Sequence, residues 1–309
     1  MENFDSLFSN QQQCSEQPFD KKQWAQQKQE KRQELYDTID EMADRTLSEP
    51  EMLAAYIKTQ ARLGMTSVAN TLLIAAQKPE ASYVMSYDDW TQKGRSVKRG
   101  ENGFFILEAN GEYTREDGSL ATSYDAKCVF DISQTHGKPI QQRATLSMPL
   151  RSKLKALMTD APVPIKPSEN VTESVGALYS QEDNTIYVAR TSNWNKLFFV
   201  VARELAREEQ GDNTFICDCT ANIVCERFGV PSVPCDQIPD ELSALDVREK
   251  RSVLGIVREA AWDINERVDR NLYTERQQTQ SAGKVGRYGR KTCDRSGRLP
   301  AWAYHQFLE

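Results

Sequence analysis

Apolar positions recur at helical spacing over much of the chain, and two regions have the shorter period of strands. A polar helix is predicted over 24–46. The segment "LSEPEMLAAYIKTQARLG" (47–64) predicts a second helix, with Ser48 and Glu51 as a capping box and Gly64 as its stop. A third helix is predicted over 67–79, ended by Pro79.

The pattern changes after residue 80. The runs "GFFILEANGEY" and "REDGSLATSYDAKCVFDIS" have short β-type segments, and Asn110-Gly111 and Asp117-Gly118 are turn signals. Further along, 176–190 predicts a hairpin with its turn near Asp183-Asn184. Helices are then predicted over 193–211, over 215–229 and from Pro239 to about Tyr273.

These elements predict an α+β protein. N-terminal helices with a small antiparallel sheet come first, and a helical domain with a β-hairpin follows. Composition and prolines predict five segments: a flexible leader (1–35), a first domain (36–136), a linker (137–168), a second domain (169–275) and a basic tail (276–309).

The composition of the 309 residues, 39% hydrophobic and 27% charged, is typical of a soluble globular protein. No stretch has the roughly 18 apolar residues of a membrane span, and the N-terminus lacks the pattern of a signal peptide, so a cytoplasmic location without membrane contact is predicted. Seven cysteines, an odd number, argue against a secreted disulfide framework. The cluster Cys217, Cys219, Cys225 and Cys235 lacks the C-x2-C pairing of zinc sites, which favours buried thiols over a metal site.

The net charge of −6 conceals an uneven distribution. Residues 91–100 contain only basic charges, at Lys93, Arg95, Lys98 and Arg99. Trp90 precedes them and Phe104 and Phe105 follow, so cations lie near aromatic rings, as in single-strand binders. An exposed charged loop and a core position for Trp90 are the alternatives.

Three more residues are candidates near this region. Lys127 lies on a predicted strand of the same sheet. Asn70 and Gln77 are seven residues apart on one helix face, where they could bind bases or hold the helix to the sheet.

The segment "RELAREE" (203–209) has the spacing of the zinc-protease motif His-Glu-x-x-His, with Arg203 and Arg207 at the two histidine positions. A guanidinium stays protonated and has only donors, so it cannot bind zinc. One open interpretation is an exposed helix face with local ion pairs. The other is a former active-site cleft in which both arginines replace the metal charge and pair with Glu204 or Asp218. Such an arginine pair could instead bind an anion such as phosphate or a carboxylate.

Two stretches resemble the ArdC-like antirestriction family of mobile elements. "NTLLIAAQKPEASYVMSYDDWTQKGRSVKRGENGFFIL" (70–107) with "CVFDISQT" (128–135) is similar to its N-terminal single-stranded-DNA-binding domain. Residues 176–230 resemble its zincin-type metallopeptidase domain, whose third ligand would fall at about Asp218. The resemblance implies a degenerate metal-site cleft formed by Arg203, Glu204, Arg207 and Asp218.

We therefore expect a non-catalytic, single-stranded-DNA-binding antirestriction protein that protects DNA by occupying it, with no metal or cofactor. The expected DNA-binding residues are Trp90, Lys93, Arg95, Lys98, Arg99, Phe104, Lys127, Asn70 and Gln77. One alternative is an interaction module that inhibits a host defence protein through the degenerate cleft. Another is an active metallopeptidase that uses Cys217, Cys219 or Asp218.

Overall fold

The structure is a computed structural model that describes residues 21–140 and 147–291, with side chains described over 22–140 and 147–278. Helices α1–α9 span Lys21–Thr46, Pro50–Leu63, Val68–Gln77, Tyr87–Gln92, Leu150–Met158, Trp194–Gln210, Thr214–Phe228, Asp240–Ser243 and Val247–Lys291. Strands β1–β8 span Val84–Met85, Arg95–Val97, Phe104–Thr114, Leu120–Asp131, Thr135–Gly137, Ile165–Pro167, Ala177–Ser180 and Thr185–Val188. The predicted α+β class is confirmed. No helix in these described ranges is long and apolar enough to span a membrane.

Strands β3 and β4 form a long antiparallel hairpin, and β1 pairs with the end of β4 in the order β1-β4-β3. The turn lies at Asp117-Gly118, as predicted. The predicted turn at Asn110-Gly111 is wrong, because β3 continues through both residues with an irregularity in register between Ala109 and Gly111. The extended pairing with β4 prevails over the local turn preference, and Asn110 is accommodated as a bulge.

The outer edge of β3 is covered by helix α3. The Asn70 side chain donates to the Leu107 carbonyl and accepts from its N–H, both at 2.9 Å. Gln77 forms the same pair of bonds with Phe105, at 2.8 and 3.0 Å. Both amides therefore hold the helix to the sheet and satisfy the edge-strand backbone. This is one of the two alternatives for these residues, and it occupies the groups that base contacts would need.

The predicted 176–190 hairpin is β7–β8, with Asn184 in the left-handed region of its turn at φ +48°. Strand β6 adds to it in parallel with β8, a pairing that the sequence analysis missed. Helices α6 and α7 follow as predicted. Helix α5, from the predicted linker, contributes Leu157 to the same core as Phe198 of α6.

One core cluster joins the two halves of the chain. It includes Tyr56 of α2, Phe228 of α7 and Leu254 of α9. The fully buried Lys250 of α9 reaches α1, where its Nζ lies 2.6 Å from Asp44 Oδ1, and its Nζ is also 3.2 Å from Ser48 Oγ. The prediction that Ser48 caps helix α2 is therefore wrong, because its hydroxyl contacts Lys250. The N-cap of α2 is Glu49, which makes no side-chain capping bond.

The predicted segments differ from the structure at both ends. Residues 21–35 of the predicted leader form the first turns of α1, and residues 276–291 of the predicted tail continue α9. The remainder, 1–20 and 292–309, lies outside the described residues. The division into two domains at 36–136 and 169–275 stays a prediction.

Candidate nucleic-acid interface and degenerate metal-site cleft

Strands β2 and β5 pair antiparallel, with Ser96 opposite His136, and form what we term the basic ribbon (residues 93–99 and 135–138). The backbones of the two strands approach closely at Gly137. A Cβ atom added there would lie 2.6 Å from the Gly94 carbonyl oxygen, which is too close for any residue with a side chain. Glycine at 137, with φ +132°, permits this approach. The ribbon thus presents a short run of cations on a rigid support.

Three of the predicted cations of the ribbon are exposed: Lys93, Lys98 and Arg99. Lys98 donates to the Ser133 carbonyl at 2.7 Å, and neither Lys93 nor Arg99 forms an ion pair within the part of the chain that the structure describes. Their charges therefore face solvent, where phosphates could neutralise them.

Arg95 has a different environment from its neighbours. Its guanidinium donates to Thr135 Oγ1 at 2.8 Å, to the Thr135 carbonyl at 3.0 Å and to the Lys138 carbonyl at 2.6 Å. Arg95 therefore joins β2 to β5, and only its charge is available to a ligand. Lys127 is likewise engaged, in an ion pair with Glu108.

The two aromatic rings predicted to stack on bases are buried. Trp90 has no exposed surface, its Nε1 donates to the Phe130 carbonyl at 2.9 Å, and Arg95 lies 5.8 Å from its ring centroid. Phe104 packs in a small cluster with Ile74, Ala81 and Val129. Neither ring has a free face for a base, so the stacking role assigned to Trp90 and Phe104 is corrected. The core alternative for Trp90 is the one that the structure shows.

Exposed aromatic side chains occur at a different place, between helix α1 and the far end of the β3–β4 hairpin. A groove of about 430 Å³, which we term the tyrosine groove, is lined by Gln29, Arg32, Gln33, Tyr36, Tyr113, Thr122, Ser123 and Tyr124. Arg32 is its only charged lining residue, and every lining side chain can form hydrogen bonds. The sequence analysis missed this groove because its two walls are far apart in the chain. Tyr113 and Tyr124, beside a predicted turn, were the available signal.

The Arg203–Arg207 helix places a buried carboxylate between two arginines. Glu204 is 1% exposed and accepts from Arg203 Nε at 3.0 Å, from Arg207 Nε at 3.1 Å and from the Tyr179 N–H at 3.1 Å. Arg207 also pairs with Asp212 at 3.2 Å. The glutamate that would activate water in a zinc protease is thus fully engaged in ion pairs and a bond to β7.

Asp218 of α7 interacts electrostatically with the same two arginines. Burial raises the pKa of the Asp218 carboxyl, and Arg203 and Arg207 oppose that shift only in part. One of its oxygens, Oδ1, is buried with no hydrogen-bond partner among the described residues. Burial likewise raises the pKa of the neighbouring Cys217 thiol to about 11.

These residues do not fit a catalytic metal. Two of the three ligand positions carry guanidinium groups, and the described ranges contain no group of three or more His, Cys, Asp or Glu residues placed to hold a metal ion. Lone Asp218 oxygen ligation would be weak. No hydrolytic step through a metal is therefore derived for this cleft.

Comparisons with known proteins point to one family. Residues 25–138 match the N-terminal domain of anti-restriction factor ArdC. No curated protein matches the chain. Among solved structures, the chain is similar to the metal-free crystal structure of the antirestriction ArdC protein from plasmid R388, with 16% identity and a TM-score of 0.45 over 77% of this chain and 98% of that one. For the Mn(II)-bound structure of that protein the values are 13%, 0.44, 71% and 98%. Residues 25–138 therefore form a domain that is similar to the N-terminal domain of ArdC.

Proposed function

We propose that this protein binds single-stranded DNA and acts as an antirestriction protein of a mobile element, protecting DNA by occupying it. The observation that carries the proposal is the exposed, unpaired positive charge of the basic ribbon, at Lys93 and Arg99, within the region that matches the ArdC N-terminal domain. Phosphate neutralisation by such side chains gives affinity without sequence preference.

The tyrosine groove supplies the exposed rings that Trp90 and Phe104 do not. Tyr113 and Tyr124 are 52% and 39% exposed, and Arg32 adds a cation beside them. A base stacked on such a ring contributes about 1–3 kcal/mol. The part of β4 from Tyr124 to Asp131 extends roughly 23 Å at about 3.3 Å per residue, so the groove and the ribbon would contact different nucleotides of one strand.

The first test is fluorescence anisotropy with labelled single- and double-stranded oligonucleotides over a salt series. We expect tighter binding to single strands and a weaker affinity at higher salt. Replacing Lys98 and Arg99 by Glu should weaken binding at least tenfold. It should also lower the slope of log K against log salt by about 1.4, at roughly 0.7 per phosphate contact.

The matched control reverses two exposed charges on α5, Arg151→Glu and Lys155→Glu, and makes the same change in net charge on a helix outside the ribbon. If the control loses as much affinity as the ribbon variant, binding follows net charge alone and the ribbon is not the interface. Absence of binding by the unaltered protein at low salt would contradict the proposed function itself.

The groove is tested with Tyr113→Leu and Tyr124→Leu, which keep an apolar side chain and remove the aromatic face. Loss of one stacked base should weaken single-strand binding by about 5- to 150-fold, with the salt slope unchanged because no charge is altered. Unchanged affinity would mean that the tyrosine groove does not contact the DNA and that the basic ribbon is the interface.

The proposal includes the absence of catalysis. Arg203→His together with Arg207→His would restore two imidazoles at the spacing that holds zinc, with Asp218 as a candidate third ligand. We expect the purified protein to contain no stoichiometric zinc and the double variant to gain affinity for it. Stoichiometric zinc in the unaltered protein would favour the metallopeptidase alternative.

A protein-binding cleft is the second candidate function. Asp218 and Asp240 line a cavity of about 430 Å³ beside helix α7, which would suit a basic segment of a partner. The anion-binding interpretation has less support, since Glu204 and Asp212 already neutralise the arginines. Replacing Asp240 by Lys would weaken capture of such a partner and leave DNA binding unchanged.

A further inference from the structure

Two cysteine sulfurs lie in contact where helix α7 meets the segment that follows it. Cys219 is on α7, and Cys235 lies in the 230–239 segment that connects α7 to α8. Their Sγ atoms are 3.5 Å apart. A disulfide needs about 2.05 Å between sulfurs, so a small side-chain movement would join them.

The two thiols differ in accessibility. Cys219 is 1% exposed, whereas Cys235 is half-buried and lines two cavities that open to solvent. A reagent from solvent therefore meets Cys235 first. The sulfur of Cys219, which is needed to complete a disulfide, is already in contact with that of Cys235 on its buried side.

The pKa values of the two thiols also favour Cys235 as the first to react. The Cys219 thiol lowers the pKa of Cys235 through their hydrogen bond, against the effect of burial. The bond to Cys235, together with burial, raises the pKa of Cys219. Of the two sulfurs, the accessible one therefore loses its proton more readily, and the thiolate is the nucleophilic form.

We propose that Cys219 and Cys235 form an oxidisable dithiol site whose oxidant is hydrogen peroxide. The Cys235 thiolate attacks one peroxide oxygen, so that an S–O bond forms and the O–O bond breaks. The departing hydroxide takes a proton and leaves as water, which gives a sulfenic acid. The Cys219 sulfur, on losing its proton, attacks the sulfenic sulfur. The S–S bond forms, the S–O bond breaks, and the second hydroxide leaves as water with that proton. In sum, two thiols lose two electrons and the peroxide becomes two waters.

This disulfide would fix a wall that two cavities share. One cavity, of about 520 Å³, lies between α2 and α7 and includes Ile57 and Asn222. The other, of about 430 Å³, includes Asp218. Cys235 lines both. Oxidation would therefore tie segment 230–239 to α7 and fix the shared wall of both cavities.

The experiment treats the full-length protein with a peroxide series, blocks free thiols and maps the tryptic peptides. Cleavage after Arg207, Arg227 and Arg248 places Cys219 and Cys235 on separate peptides, and the second has no other cysteine. We expect a cross-linked pair two hydrogens lighter than the sum of its parts. It should form at a lower peroxide dose than the dose that oxidises Cys128, which is exposed but whose thiol pKa is raised because the group is partly desolvated.

Variants assign the bond. Cys219→Ala should abolish the cross-link, whereas Cys217→Ala and Cys225→Ala, on the same helix, should retain it. No cross-link at doses that oxidise Cys128, or a cross-link that persists in Cys219→Ala, would overturn the proposal.

A stability measurement covers the case in which a buried variant fails to fold. Closing the loop between residues 219 and 235 should raise the melting temperature of the oxidised protein by about 5 °C. Cys235→Ala, at a half-buried position, should show no rise with peroxide. A rise that survives in Cys235→Ala would show that another thiol is responsible, and would contradict the site.

Discussion

At the scale of single residues, Glu204 is where the arginine-for-histidine pattern has its largest structural consequence. The carboxylate is buried, and both arginines of the helix donate to it. In the zinc-protease motif, histidines that bind the metal flank the glutamate, whereas here arginines occupy both positions. The buried acid between them therefore needs cationic partners. Arg203 and Arg207 supply that charge, so the three residues form one unit.

Glu204→Gln should therefore lower the free energy of unfolding by roughly 3 kcal/mol, because Arg203 loses its counter-charge and Arg207 keeps only the exposed Asp212. Urea unfolding at neutral pH measures this. The matched control is Glu209→Gln on the same helix, where the side chain is exposed. Partial desolvation, followed by repulsion from Asp263, raises the pKa of Glu209, so its neutralisation should leave the free energy of unfolding unchanged or slightly higher, within about 0.5 kcal/mol. Equal losses in the two variants would argue against the Glu204 ion pairs.

Two aspartates should respond to pH in opposite directions. Burial opposes ionisation of Asp131, but hydrogen bonds from Ser133 and from the Ser82 and Tyr83 N–H groups outweigh it and lower the pKa. A lowered folded-state pKa gives stability above the ordinary aspartate value of about 3.9, and that stability is lost as pH falls through the folded pKa. The raised pKa of Asp218 instead costs stability as pH rises through and above that ordinary value.

At pH 7, Asp131→Asn should thus lower the free energy of unfolding by about 1.5–3 kcal/mol, the range for hydrogen bonds to a charged group. Asp218→Asn should raise it. The Asp218→Asn gain should shrink as the pH is lowered from 7 to the ordinary aspartate value of about 3.9. The Asp131→Asn loss should shrink only below that value. Denaturant titrations at several pH values measure both differences. A loss of stability in Asp218→Asn at pH 7 would mean that attraction to Arg203 and Arg207 exceeds the cost of burial.

At the scale of elements, Asn70 and Gln77 show how α3 protects an edge strand. Asn70→Ala with Gln77→Ala removes four hydrogen bonds to the β3 backbone. We expect a loss of about 2–4 kcal/mol, at roughly 1 kcal/mol per bond, and a greater tendency to aggregate through the uncovered edge. Urea unfolding and light scattering measure the two effects. Intact stability with weakened DNA binding would instead favour the base-contact interpretation of these amides.

The elements that were predicted correctly are those that local sequence specifies. Helix α6 has a capping asparagine, an apolar face and a terminal glycine, and the β7–β8 hairpin has its turn at Asn184. Strand β6 was missed because three residues with a proline give no period, and its pairing with β8 is non-local. Asn110-Gly111 misled for the same reason, since pairing with β4 overrides the turn signal.

Only part of the candidate interface could be predicted from the sequence. Lysine and arginine side chains are mostly exposed in folded proteins, so a count of charges along the sequence identified Lys93 and Arg99. Whether an aromatic ring is exposed depends on what packs over it, and Trp90 is covered by structure that only the folded chain brings together. The tyrosine groove needs α1 beside a hairpin from much later in the sequence.

At the scale of the whole molecule, contacts between the predicted domains are part of the core. Tyr56 of α2 and Phe228 of α7 belong to one cluster, and buried Lys250 of α9 pairs with Asp44 of α1. Separating the halves would expose apolar surface and leave a buried ammonium group without its partner, and both cost free energy.

We therefore expect the chain to unfold in one cooperative transition, with coincident urea curves from far-ultraviolet circular dichroism and tryptophan fluorescence. Lys250→Ala should shift both curves together, by about 1–3 kcal/mol, because its bonds to Asp44 and Ser48 connect α9 to the first half. Arg251→Ala is the control, since its pairing with Asp40 is at the surface and contributes less than about 1 kcal/mol. Two separate transitions, with only one of them shifted in Lys250→Ala, would support independent domains at 36–136 and 169–275. The ArdC-like region at 25–138 could then be studied alone. A single transition would mean that the proposed DNA binding has to be measured in the full chain, where α7 and α9 belong to the same core as α1 and α2.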